Sequence, residues 1–81
     1  MFEITINLDG RPVTAYANTE SIDLDEFCRI LKWRLADGRY IQNTGSVALF
    51  GFKSITAPTS GMALVMNLDE AHKYPVTIKA A

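Results

Sequence analysis

Phe2-Glu3-Ile4-Thr5-Ile6-Asn7-Leu8 and Arg11-Pro12-Val13-Thr14-Ala15-Tyr16-Ala17 flank the dipeptide Asp9-Gly10. Both flanks alternate apolar and polar residues, as a half-buried strand does. A two-residue turn at Asp9-Gly10 sets Ile6 opposite Val13, Ile4 opposite Ala15 and Phe2 opposite Ala17. All of these then share one face, while Glu3, Thr5, Asn7, Thr14 and Tyr16 share the other. Pro12 would direct its missing N–H away from the first strand, which makes the second strand an edge. The first strand must therefore find its other neighbour later in the chain.

The segment after the hairpin reads as the one helix. Asp23 suits the N-cap, with Glu26 three residues on as in a capping box and Ile22 and Phe27 in the positions of a hydrophobic staple. Leu24, Phe27, Cys28, Leu31 and Leu35 follow the spacing of one buried face, and Asp37-Gly38 reads as the stop, with glycine just past the last turn. Asp23, Asp25 and Glu26 at the start and Lys32 and Arg34 near the end complement the helix dipole.

Beyond Gly38 the pattern returns to strands. Tyr40 to Gln42 reads as a short strand before an Asn43-Thr44-Gly45 turn, and Val47 to Ile55 as a longer one. Ala57 to Gly61 is a dense turn signal leading to a strand from Met62 to Leu68. Asp69 to Lys73 reads as a loop or a single helical turn. Pro75 then opens a final strand with Val76, Ile78 and Ala80 on one face. The expected fold is a single α+β domain over residues 1–81, a mainly antiparallel sheet of four to six strands in the order β-β-α-β-β-β with one helix on one face. A partly open barrel is the alternative.

Size and composition narrow the function. The 81 residues support only a thin core, burying about 60 to 65 % of the unfolded surface. A formal net charge of -1 gives no general attraction to nucleic acid. A single cysteine excludes an internal disulfide and suits an intracellular setting. Met1 leads straight into a strand, so no secretory signal is expected, and no apolar run approaches membrane-spanning length. The expectation is a soluble, cytoplasmic protein.

No catalytic constellation is legible. His72 is the only histidine, and Cys28 falls on the apolar helix face, so neither pairs as a nucleophile with its base. Asp69 and Glu70 lie near His72 without the further ligands of a zinc shell. Gly45, Gly51 and Gly61 have no phosphate-loop spacing. No enzyme, cofactor or metal is expected.

Phe50-Gly51-Phe52 sets two rings on one face of a predicted strand, with Lys53 beside them and Arg39-Tyr40 upstream. Such rings stack on single-stranded bases. The fragment resembles the aromatic core of the RNA-recognition motif, although two strands precede the first helix here and the motif's other residues are absent.

Trp33 points elsewhere. At about 100° per residue it lies opposite Leu24, Leu31 and Leu35, and together with Arg29, Ile30 and Arg34 it forms a predicted outward patch of hot-spot composition. A ring folded onto a loop, or stacked under Arg29, is the alternative. The strands around Val47 to Phe52 and Ala63 to Leu68 are apolar on both faces, more than one helix covers. The leading expectation is a noncatalytic protein-interaction module. It would act as an inhibitor or adaptor of a larger complex, in the manner of a small viral or mobile-element accessory protein, or assemble as a homodimer. A single-stranded nucleic-acid binder using Arg39, Tyr40, Phe50, Phe52 and Lys53 is the second expectation.

Overall fold

A computed structural model describes residues 1–81. Strands β1 (Phe2–Leu8) and β2 (Arg11–Ala17) precede helix α1 (Leu24–Asp37), followed by β3 (Ser46–Phe50), β4 (Thr59–Asn67) and β5 (Glu70–Ala80). They form one antiparallel sheet in the order β2-β1-β5-β4-β3. The missing neighbour of β1 is thus the last strand.

The first hairpin has the expected register, with Ile4 opposite Ala15 and Ile6 opposite Val13. Asp9 and Gly10 both have positive φ, 53° and 93°, as the tight primed turn requires. The Asn7 side chain accepts a hydrogen bond from the Gly10 N–H at 2.6 Å and braces that turn.

Helix α1 begins as its residues dictate: Asp23 accepts from the Glu26 N–H at 3.2 Å. The reciprocal half of the capping box is not made, because the Glu26 carboxylate pairs with Arg29 instead. At the other end the Arg39 N–H donates to Ala36 O and the Tyr40 N–H to Leu35 O, the two bonds of a Schellman ending. The left-handed residue is Arg39, at φ 61°, while Gly38 remains right-handed. Glycine at 38 serves a different purpose, leaving room for the Tyr40 ring: a Cβ there would lie 2.5 Å from it.

Phe27, Leu31 and Leu35 of α1 pack on Ile4, Ile6, Val13, Ala15, Ala17, Ala63, Val65, Val76 and Ile78, with Ile41 completing the core. Every buried side chain is apolar. Leu24 and Cys28 are only partly buried, at the margin of this face. The sheet curls around α1, which approaches both edge strands, β2 and β3. Each edge is blunted from the helix, as exposed edges need to be. Arg34 Nε donates to Thr14 O of β2 at 3.3 Å, and the Leu49 N–H of β3 donates to Cys28 Sγ at 3.3 Å.

Four expectations for the second half are corrected. Tyr40 to Gln42 is not a strand; it is the helix exit, with Ile41 buried and a turn from Gln42 to Gly45. The strand from Val47 stops at Phe50, because Gly51 takes φ 75° and breaks the alternation. Thr59, Ser60 and Gly61, read as turn, open β4: they pair with Ile78, Thr77 and Val76. Glu70 to Lys73, read as part of a loop or a single helical turn, already belong to β5, and Leu68-Asp69 is a two-residue turn. Pro75 lies inside β5, just past the Ile6 and Val76 pair where the β1 ladder ends. Along β5, alternation directs the position-75 N–H toward β1, so the proline ends that ladder without disturbing the β4 side.

Candidate interaction groove

The residue expected to face outward does so: Trp33 is 72 % exposed. Its predicted companions divide: Arg29, one turn before it and exposed, stays on the outward side of the helix, while Ile30 and Arg34 turn away from it. Ile30 is partly buried against the core, Arg34 is tied to β2 through Thr14 O, and Arg29 is engaged with Glu26. The reason is angular. Ile30 and Arg34 lie on the flank of α1 that turns toward β2, between the buried stripe and the outward side.

Trp33 instead lines an open groove of about 1010 Å³ at the C-terminal end of α1. Lys32, Ala36 and Asp37 continue its helix wall, and Arg39, Tyr40, Ile41, Gln42 and Asn43 form the opposite wall, with Asn67 at the end of β4. Asn67 Oδ1 accepts from the Gln42 N–H at 3.0 Å and holds that wall against the sheet. Tyr40, Ile41 and Asn67 also separate the groove from a smaller cleft of about 300 Å³ that contains Glu70, His72 and Tyr74. In that cleft His72 Nε2 lies 3.3 Å from Glu70 Oε2, an exposed pair.

Costly local features converge on the groove. An exposed indole is one. Arg39, whose left-handed backbone favours glycine, is the other. Strained backbone and exposed apolar surface are enriched at binding sites. Lys32, Asp37 and Arg39 enter no ion pair within the chain, which leaves their charges free for a ligand.

The aromatic pair expected for nucleic acid is taken apart. Phe50 belongs to the outer face of β3, opposite Met62, and Lys73 Nζ lies 5.8 Å from its ring centroid. After the Gly51 bend, the Phe52 ring sits over Gly61 on the helix side of the sheet and packs against the core. Tyr40 and Arg39 are in the groove and Lys53 is exposed beyond β3, so these five residues do not form one surface. The signal missed in the sequence is Gly51, which separates two rings that strict alternation would align.

The titratable group most altered by the fold is Cys28. Partial burial pushes its thiol up, opposed by the Leu49 N–H and reinforced by the nearby Asp25 carboxylate. This thiol serves as a hydrogen-bond acceptor at a sheet edge. No helix is long and apolar enough to cross a membrane. The chain matches no protein-family model, no curated protein and no solved structure.

Proposed function

We infer that this chain is a noncatalytic protein-interaction module that docks on a larger partner through the groove at the end of α1. The observation that carries this reading is Trp33, the only tryptophan, standing 72 % exposed on a groove wall. Tryptophan and arginine are the residues most enriched at interface hot spots, and Arg39 lies in the same groove. An inhibitor or adaptor of a host complex, as small viral and mobile-element proteins are, is the role such a domain would fill.

The test is affinity capture from the native host with wild-type, Trp33→Ala and Arg39→Ala baits. A protein retained by the wild type and lost with both variants supports the groove. The same proteins retained by all three baits would sink it.

A further inference from the structure

One sheet face is covered by α1 and the other is not, and the uncovered face has two unlike halves. Over β1, β2 and the second half of β5 it carries Thr5, Thr14, Tyr16, Thr77 and Lys79, as a solvent-facing sheet does. Over β3, β4 and the first half of β5 the register places Ala48, Phe50, Met62, Leu64, Met66 and Pro75. Phe50 is 40 % and Met66 42 % exposed, and no other part of the chain forms a second layer there.

Lys73 is the one charge set among these side chains, its Nζ 5.8 Å from the Phe50 ring centroid. The remaining strand charges of this face neutralise each other, with Lys79 Nζ 3.0 Å from Glu3 Oε2.

We propose that this half-face, Phe50, Met62, Leu64 and Met66 around Lys73, is a second docking surface, for an apolar segment of a partner protein that places a carboxylate against Lys73. Charge selects this occupant over two others. A second copy would meet the same patch across a two-fold axis, and its only strand carboxylate on this face, Glu3, is already held by Lys79. An anionic membrane gains about 1 kcal/mol per basic residue, and one lysine falls short of an anchor. The two methionines suit a surface that adapts to its partner. The half-face lies on the side of the sheet away from α1, so it leaves the Trp33 groove free. A domain with both surfaces engaged joins two partners, the behaviour of an adaptor.

The test titrates the intact, isotope-labelled protein with two amphipathic peptides of about 18 residues, sharing one leucine-alanine stripe and bearing either glutamates or lysines on the polar side. The glutamate peptide is expected to shift amide resonances of β3, β4 and β5 but not of α1, and to bind about fivefold more tightly than the lysine peptide. Lys73→Ala should remove that preference. Leu64→Asp should abolish binding of both peptides; if it unfolds the domain, Met66→Asp at the more exposed position should do so. Trp33→Ala should leave the titration unchanged, which separates this surface from the groove. No binding, equal binding of the two peptides, or shifts centred on α1 overturns the proposal. A dimer in sedimentation equilibrium that Met66→Asp dissociates also overturns it, in favour of a second copy. Tighter binding to phosphatidylglycerol vesicles than to the glutamate peptide overturns it in favour of lipid.

Discussion

The Phe52 ring lies over Gly61 so closely that a Cβ at position 61 would sit 2.5 Å from Phe52 Cδ2. Gly61→Ala should therefore destabilise the domain by roughly 1–3 kcal/mol, although a glycine inside a strand is ordinarily a weak point. In a Phe52→Ala background the obstacle is gone, and the same change should cost less than about 0.5 kcal/mol. Urea denaturation of the four proteins closes the cycle. Additive losses would mean that the ring and the glycine are not coupled.

Gly10 should fail for a different reason. Nothing lies within 4 Å of a Cβ built there, but φ is 93°. Gly10→Val should cost on the order of 1 kcal/mol or more through the backbone alone. Stability equal to wild type in chemical denaturation would contradict the primed turn.

Arg39 and Leu68 hold φ of 61° and 58° without being glycine. Arg39→Gly and Leu68→Gly should each raise stability by about 0.5–1 kcal/mol, since relief of left-handed strain outweighs the added freedom of the unfolded chain. Arg39→Gly should at the same time weaken partner binding. A variant that loses stability would show that its side chain is held by contacts worth more than the strain.

Trp33→Ala should change the unfolding free energy by less than about 0.5 kcal/mol, against about 3–5 kcal/mol for a buried tryptophan. Far-ultraviolet circular dichroism during thermal melting reads this without the indole. A large loss would return Trp33 to the core and remove the groove's hot spot.

Because burial raises the Cys28 thiol, the folded chain holds its proton at pH values where the unfolded chain releases it. The stabilising contribution is complete below the ordinary thiol value and declines as pH rises above it. Native Cys28 should also react with a thiol reagent more slowly than a small free thiol at mildly alkaline pH. Equal rates at every pH would refute the effect.

The first hairpin, the helix and its N-cap were legible because each is decided locally. Asp9-Gly10 selects the turn, and Asp23 and the Leu31 and Leu35 stripe select the helix and its buried side. The strand boundaries after Gly45 were not, since Thr59-Ser60-Gly61 and Glu70 to Lys73 become strand only through pairing with each other's hairpin arm. Local turn propensity in these segments yields to ladder hydrogen bonds and to the Phe52 ring over Gly61.

The outward direction of Trp33 followed from helical period alone, but its neighbours did not. Arg39, Tyr40 and Asn67 reach it because the Schellman ending turns the chain back and Asn67 pins that return to β4. What the sequence by itself determined was a set of features fixed by spacing within a few residues: the hairpin register, the edge at Pro12, the helix and its outward indole. Tertiary structure decided which strand completes the sheet, where Phe50 and Phe52 part, and which side chains share the groove. These depend on contacts between residues far apart in the chain, and no local period encodes them.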